Sequence, residues 1–295
     1  MSSLQEASQR RFTRRKAIEL GVLGIAGLAA TAFAPAKPDQ SPSPDLPYTV
    51  DSSKWKLATS YTSDFTGSED YRVHNIIAGA NGLNNHFWYF DQKLNRFGKN
   101  VIKPGATFSI NSILEQVDDY VTGWAIGPDL EHVAVNGGGI CQIPTTMFVA
   151  SLNAGLAIEE RTNHAYYNGW YFGDPNDSKE FGMDATVYIP GPDLVVRNTY
   201  DYPIRFFFKL VEGEHLKVDV VGPPELKPYT SEIDGPYFYD PIKKKQGKLV
   251  KNAGKYPWAA STIVTQNVWK DKPTDIKKPW FSKPFESHYQ ESPYG

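Results

Sequence analysis

The chain has 295 residues, of which 40% are hydrophobic, 14% aromatic and 22% charged. This composition excludes a largely disordered or multispan membrane protein and fits one large globular domain with extensions. The formal net charge of −2 removes the overall attraction that nucleic-acid binding requires. Its cysteine and histidine residues do not stand at the spacing of a zinc site, so we expect no metal and no other cofactor.

Residues 1–36 have the pattern of an export signal. Arginine pairs at positions 10–11 and 14–15 precede a mildly apolar stretch at residues 20–34. The pattern resembles a twin-arginine signal, and the stretch is shorter than the ~20 residues of a comfortable transmembrane helix. A small-residue site before Lys37 allows either cleavage or retention of the segment as a membrane anchor. We therefore predict an extracytoplasmic protein.

Residues 37–53 are rich in proline and serine and predict an extended linker. Thr66 and Glu69 fit a capping box, and apolar residues then recur at helical spacing, which predicts a helix over residues 66–84. A Pro-Gly turn follows, and residues 106–110 alternate like a short strand.

Residues 140–154 predict a buried helix, because apolar side chains cover most of its faces and Gly155 is suited to its C-cap. Pro144 is tolerated only in the first turn of such a helix. Cys141 therefore lies at or just before the helix N-terminus. It directly follows a glycine turn and Ile140, and the turn consists of Gly137, Gly138 and Gly139.

After this helix the pattern changes to strands, which we predict at residues 156–161, 185–189, 194–198, 204–211 and 215–221. Residues 54–222 thus predict an α+β domain in which a buried central helix packs on a mostly antiparallel sheet. From residue 223 to residue 295, prolines, lysines and isolated tryptophans predict an irregular C-terminal extension, either simply solvated or a surface for anionic polymers.

Cys141 is the only cysteine of the chain. A helix N-terminus lowers the pKa of a thiol, since it favours the thiolate. The preceding glycines allow close approach of a ligand to the backbone. Gln142 and the nearby backbone N–H groups are suited to hold a developing oxyanion. The alternative is a small buried residue with no chemical role, with Gln142 bonded to the backbone.

Two later residues complete a possible thiol site. His164 follows the predicted helix and its next strand, and Asp184 opens a further strand. The order cysteine, histidine, aspartate resembles that of papain-like and transglutaminase-like enzymes in sequence order and element type. The alternatives are a structural histidine and a strand-entry cap at Asp184. His132 is the second choice as a base.

The stretch from residue 57 to residue 221 resembles the VanW-like family, named for a protein encoded in some vancomycin-resistance gene clusters. The segment KPGATFSIN at residues 103–111 is similar to the family's PGETFSFN, and GGGICQIPTT at residues 137–146 is similar to its GGGICQVSTT. Further matches in family order are Arg72, Asn75, Ile76, Glu160, Arg161, His164, Gly182, Asp184 and Asn198.

The chain departs from the family pattern at Ala106 and Pro144, and residues 168–181 form a longer segment that carries Trp170, Asp174 and Asp177. The resemblance implies an extracytoplasmic role connected with peptidoglycan, and it leaves the reaction open. We predict that Cys141, His164, Asp184 and Gln142 form a catalytic site. The predicted substrate contacts are Gly137, Gly138, Gly139, Asn111, Thr145 and Tyr166.

The leading hypothesis is a thiol hydrolase or acyl transferase that acts on amide or ester bonds of peptidoglycan or its precursors. One alternative is a wall-binding or scaffolding module without catalysis. The other is an envelope thiol or redox sensor built on Cys141.

Overall fold

The computed structural model describes residues 55–290, apart from residues 89, 92–95, 98–99, 128–129, 168–170, 172–179, 241–244, 247–259 and 272–277. The predicted signal and linker lie outside the described residues. The helices are α1 (Asp70–Trp88), α2 (Asn111–Leu114) and α3 (Gln142–Asn153). The strands are β1 (Lys56–Asp64), β2 (Phe90–Asp91), β3 (Arg96–Phe97), β4 (Thr107–Ser109), β5 (Thr122–Ile126), β6 (His132–Asn136), β7 (Ala157–Glu160), β8 (Val195–Arg197), β9 (Arg205–Val211), β10 (His215–Gly222), β11 (Thr230–Asp240), β12 (Lys245–Gln246), β13 (Ala260–Trp269) and β14 (Phe281–Tyr289).

Every pairing between these strands is antiparallel. The sheets have the orders β1-β10-β9, β12-β11-β13-β14, β4-β8-β7, β5-β6 and β2-β3. All described residues belong to one compact unit. The predicted class, a mixture of helices with mostly antiparallel sheet, is confirmed at this coarse level.

Helix α1 lies against the first sheet. Its buried residues Ile76, Ala80, Leu83 and Phe87 recur three or four positions apart and form one apolar face. Asn84 Nδ2 donates to the Phe208 carbonyl of β9 at 2.7 Å. Trp88 Nε1 donates to the Phe206 carbonyl of the same strand, also at 2.7 Å. These bonds fix the position of α1 along the sheet.

Helix α3 is buried on all sides, since only Asn153 of its twelve residues escapes burial. It contacts β1 and β10. Its buried Thr146 has hydrogen-bond partners in the helix and in β1: Oγ1 donates to the Gln142 carbonyl at 2.6 Å and lies 2.5 Å from Ser63 Oγ. Because buried hydroxyls need partners, these bonds let a polar helix start lie inside the core.

The prediction of an irregular C-terminal extension is wrong for the described residues after 229. They form the four-stranded sheet β12-β11-β13-β14. In β14 the residues Phe285, Ser287 and Tyr289 are buried and alternate with exposed neighbours. This is the period of a half-buried strand, and lysine, proline and serine at its other positions hide the apolar pattern in the sequence.

Other differences concern strands and helix boundaries. The sequence prediction misses β1 and β5, where few residues are strongly apolar. Residues 185–189 form a single bridge, from Thr186 to Thr162, instead of the predicted strand. Helix α1 begins four residues later than predicted and ends at Trp88. In the described part of the chain, no helix has the length and apolar character needed to span a membrane.

Candidate thiol site

Cys141 is the N-cap residue of α3 and follows a glycine turn that only glycine can form. Gly139 has a φ of +89°, and a Cβ there would lie 2.7 Å from Arg72 Cγ. A Cβ on Gly138 would lie 2.3 Å from the Gly123 carbonyl carbon. Asn75 of α1 holds the turn by donating from Nδ2 to the Gly138 carbonyl at 2.9 Å. Close packing of three elements therefore sets the position of the cysteine.

The Cys141 thiol is free, and the residue is partly exposed. Its sulfur lies 3.5 Å from Thr186 Oγ1 and 3.7 Å from the Val187 carbonyl oxygen. Among the described residues, no group accepts a hydrogen bond from the backbone N–H of Cys141 or Gln142. The first N–H groups of a helix lack intrahelical acceptors. The backbone N–H groups of Cys141 and Gln142 therefore remain available to an anion bound near the sulfur.

His164 and Asp184 form a buried pair beside this thiol. His164 is 5% exposed and Asp184 is 0% exposed. The Nδ1 of His164 lies 2.7 Å from Asp184 Oδ2, and the His164 backbone N–H donates to the same oxygen at 2.7 Å. Because a carboxylate only accepts, Nδ1 carries a proton and Nε2 is the nitrogen left for chemistry.

Arg161 and Tyr289 hold the other oxygen of Asp184. Arg161 Nη2 donates to Oδ1 at 3.1 Å, and the Tyr289 hydroxyl donates to it at 2.5 Å. Arg161 Nε also donates to the Asp184 carbonyl at 2.6 Å. Burial alone would raise the pKa of Asp184, but its hydrogen bonds with His164 and the charge of Arg161 outweigh burial and hold that pKa well below its usual value.

The same contacts shift the pKa values of the thiol and the imidazole. Burial favours neutral His164, yet the bond to Asp184 and the interaction with Cys141 raise its pKa to about 9. Burial also acts to raise the pKa of Cys141, and the interaction with His164 outweighs it and lowers that pKa. Both shifts act in the same direction, because each favours the thiolate and the protonated imidazole over the neutral pair.

Tyr171 is a further neighbour of His164. Its hydroxyl lies 3.1 Å from Nε2, and its ring centroid lies 5.2 Å from that of His164. Burial raises the pKa of Tyr171 well above its usual value, so the hydroxyl stays protonated at neutral pH. Tyr171 thus lies at Nε2, the nitrogen of His164 that Asp184 leaves free.

The side chains of Gln142 and Thr145 are buried and hydrogen-bonded to other parts of the chain. Gln142 Nε2 donates to Ser63 Oγ at 2.6 Å and to the Asp64 carbonyl at 3.2 Å. Both amide hydrogens are used, so this side chain has no donor left for an oxyanion. Thr145 Oγ1 donates to the Ala185 carbonyl and accepts from the N–H of the same residue, which fixes the chain beside Asp184.

The remaining predicted substrate contacts lie at different places. Asn111 begins α2, and its Nδ2 donates to the Pro192 carbonyl at 2.9 Å. The Tyr166 hydroxyl lies 3.4 Å from Nε2 of His132, the second-choice base. Trp170, Asp174 and Asp177 lie outside the described residues.

Three residues near the site have no role in the sequence prediction, namely Arg72, Tyr171 and Tyr289. Arg161 also has no predicted role. Arg72 Nη2 donates to Gln142 Oε1 at 2.7 Å. Both arginines match the family pattern, and this match is the sequence signal that could have identified them. Tyr289 lies 105 residues from Asp184, and nothing local in the sequence indicates their contact.

The structure thus places one cysteine at a helix N-terminus, beside a buried histidine–aspartate pair, in an α+β protein. Comparison with known proteins gives a family match over part of the chain. Residues 91–221 match the family model described as VanW like protein, and the resemblance seen in the sequence is confirmed over these residues.

Two curated proteins are similar to the chain. It is 31% identical over 156 residues to the uncharacterized protein YoaR of Bacillus subtilis (strain 168), a match that covers 52% of this chain and 44% of YoaR. It is 33% identical over 113 residues to the vancomycin B-type resistance protein VanW of Enterococcus faecalis, over 37% of this chain and 40% of that protein. The chain thus spans less than half the length of these relatives. No solved structure gives a significant match.

Replacing His164 with alanine is expected to raise the pKa of Cys141, because burial then acts without the opposing interaction of the imidazole. Alkylation of the thiol by iodoacetamide at pH 7 is expected to slow about tenfold or more. The measurement is the alkylation rate from pH 5 to pH 10. His132→Ala is the control, and the pH at which its alkylation rate is half-maximal is expected to equal that of the wild type. The same midpoint pH in His164→Ala as in the wild type would contradict the assignment of His164 as the partner of the thiol.

Proposed function

We propose that this protein is a cysteine-dependent hydrolase or acyl transferase that acts on amide or ester bonds of cell-wall peptides. One observation carries the proposal: Cys141 lies at the start of α3 beside His164, whose Nδ1 lies 2.7 Å from the buried Asp184. In this proposal α3 is the central helix of the fold and carries the nucleophile. The connection to the wall is supported by the name of the VanW relative, a vancomycin resistance protein.

In the first half of the reaction, the Cys141 thiolate attacks the carbonyl carbon of the substrate. The carbonyl π electrons move to oxygen, and the N–H groups of Cys141 and Gln142 stabilise the oxyanion. When the oxyanion collapses, the carbon–nitrogen bond breaks, and the leaving amine takes the proton from Nε2 of His164. The products of this half are a thioester on Cys141 and a free amine.

In the second half, neutral His164 removes a proton from water or from an acceptor amine, which attacks the thioester carbonyl. Collapse of the second oxyanion breaks the carbon–sulfur bond and regenerates the thiolate and the imidazolium. Water gives a hydrolase, and an amine gives a transferase. Asp184 keeps its charge throughout, fixes the tautomer of His164 and stabilises the imidazolium.

Export belongs to the same proposal. A reaction on wall peptides requires the site to lie outside the cytoplasm, and the arginine pairs within residues 1–36 support delivery by the twin-arginine route. A thiol that works outside the cytoplasm benefits from being the only cysteine in the chain, because no second cysteine can close an internal disulfide with it.

The direct test incubates the purified chain with a mixture of soluble wall peptides and muropeptides, with analysis of the products by mass spectrometry. Cleavage or ligation is expected, together with a thioester adduct on Cys141 in samples quenched with acid. Protein blocked beforehand with iodoacetamide is the control and is expected to be inactive. Turnover that survives blocking of the thiol would reject the proposal.

A wall-binding module without catalysis is the second candidate. Two exposed aromatic side chains favour it: Trp124, 54% exposed, and Tyr188, 55% exposed. Trp124 lies on β5 next to the glycine turn, and Tyr188 directly follows Val187, whose carbonyl lies by the Cys141 sulfur. Exposed aromatic rings are common in binding surfaces. Muropeptide binding that is equal before and after alkylation, without turnover, would favour this candidate.

A further inference from the structure

The guanidinium of Arg72 lies at the edge of the thiol site. Arg72 projects from α1 and packs along Gly139, two residues before Cys141. Its Nη2 donates to Oε1 of Gln142, the residue directly after the cysteine, at 2.7 Å. Its Cζ lies 5.4 Å from the ring centroid of Tyr171, whose hydroxyl lies 3.1 Å from His164 Nε2. Arg72 thus contacts neighbours of both the thiol and the imidazole.

Gln142 fixes this guanidinium without neutralising it. The amide nitrogen of Gln142 is bound by Ser63 and Asp64 of β1, so its oxygen has to face Arg72. An amide oxygen orients a cation and leaves its charge in place. Gln142 therefore has a structural reason to follow the cysteine, different from the oxyanion role predicted from sequence.

The charge of Arg72 also lacks a carboxylate partner among the described residues. The contrast with two other arginines is clear, since Arg161 pairs with Asp184 and Arg197 pairs with Glu159. Arg72 is partly exposed, and one of its five N–H donors is used by Gln142. The planar guanidinium of arginine matches the geometry of a carboxylate.

We infer that Arg72 binds a carboxylate of the substrate, so that the thiol site accepts acyl substrates with a free carboxylate near the scissile carbonyl. This inference rests on the proposed function, because only an enzyme has a substrate. The anion site itself depends only on the placement of Arg72 against Gln142 and Tyr171, which are neighbours of the thiol and the imidazole. The two are therefore separable by experiment.

The test compares two alkylating reagents of nearly equal size on the full chain at pH 7. Iodoacetate carries a carboxylate, whereas iodoacetamide is neutral. In both reactions the thiolate forms a carbon–sulfur bond, and the carbon–iodine bond breaks to release iodide. Rates are normalised to those of free cysteine. We expect the iodoacetate to iodoacetamide ratio to exceed that of free cysteine by about tenfold, because one charge-assisted contact is gained.

Arg72→Gln is expected to return this ratio to that of free cysteine, and Arg72→Lys to retain part of it. Arg197→Gln removes the same charge from a surface ion pair elsewhere and is expected to keep the wild-type ratio. Circular dichroism and an iodoacetamide rate within about twofold of wild type establish that the folded thiol site is intact. A ratio in Arg72→Gln equal to that of the wild type overturns the inference.

A second arm uses two wall-type peptides that differ only in a free carboxylate or a carboxamide beside the scissile bond. Wild-type protein is expected to prefer the carboxylate, and Arg72→Gln to lose this preference while it still cleaves the carboxamide. A high reagent ratio with no cleavage of either peptide would reject the proposed function and keep the anion site. Cleavage of both peptides with equal efficiency would keep the proposed function and overturn the inference.

Discussion

Alanine at position 141 is expected to lower kcat/KM for a wall-peptide substrate by about 10⁴-fold or more, because no other group in the site replaces the nucleophile. The thiolate forms the covalent bond to the acyl group, and neither Thr186 nor Tyr171 is activated: burial keeps the pKa of Tyr171 high. The measurement is release of the amine product, compared with wild type at equal protein concentration. The residual rate expected of the variant is that due to binding and the backbone N–H groups alone.

The fold is expected to survive this change. Cys141 is partly exposed and makes only weak sulfur contacts, so the free energy of unfolding is expected to change by no more than about 1 kcal/mol. Denaturant unfolding checks this. Cys141→Ser serves as a near-isosteric control and is expected to be almost as inactive, because a hydroxyl does not ionise near neutral pH. Activity equal to wild type in Cys141→Ala would reject the thiol mechanism.

The part of the site that sequence reasoning placed well is local. The position of Cys141 follows from a glycine turn, a proline tolerated only in the first helical turn and an apolar run, all within about 20 residues. The backbone geometry obeys these signals: α3 begins at Gln142, and Gly137 and Gly139 have positive φ. The sequence also predicts that His164 and Asp184 belong to the same site, from their order and the family pattern alone.

What sequence reasoning missed depends on long-range packing. The direction of the Gln142 side chain is set by β1, which approaches from about 80 residues earlier and supplies Ser63 and Asp64 as acceptors. No local pattern encodes that approach. The oxyanion role predicted for this side chain thus differs from where the structure places it, facing Arg72 and β1.

The C-terminal sheet is the second such case. Its apolar alternation is weak, so the sequence predicts an irregular extension. In the structure, the Tyr289 hydroxyl of β14 donates to Asp184, and Ser287 Oγ of the same strand accepts from Arg161 Nη1 at 2.6 Å. These strands lie beyond residues 91–221, the part that matches the family model. The buried His164–Asp184 pair thus takes one of its hydrogen-bond partners, Tyr289, from beyond the matched region.

Asparagine at position 184 is expected to reduce kcat by about 10³-fold to 10⁴-fold, because the histidine loses the charge that stabilises its protonated form. Oδ2 of Asp184 accepts from two donors of His164, and Oδ1 accepts from Arg161 and Tyr289. The NH₂ group of an asparagine side chain is itself a donor. In one orientation it faces the N–H groups of His164, and in the other it faces the donors of Arg161 and Tyr289. The pKa of His164 is then expected to fall and that of Cys141 to rise, which iodoacetamide rates against pH measure.

The same substitution is expected to destabilise the fold by about 3 kcal/mol or more at pH 7, because Arg161 stays buried without its carboxylate. The folded-state pKa of Asp184 is depressed, so its contribution is present above the unfolded pKa of about 3.9 and is lost as pH falls. The gap between wild type and Asp184→Asn, measured by denaturant unfolding, is therefore expected to narrow below about pH 4. Asp201→Asn removes an exposed carboxylate paired with Lys270 and is expected to change stability by under about 1 kcal/mol. Equal stability of the two variants at pH 7 would show that the buried cluster does not depend on the charge of Asp184.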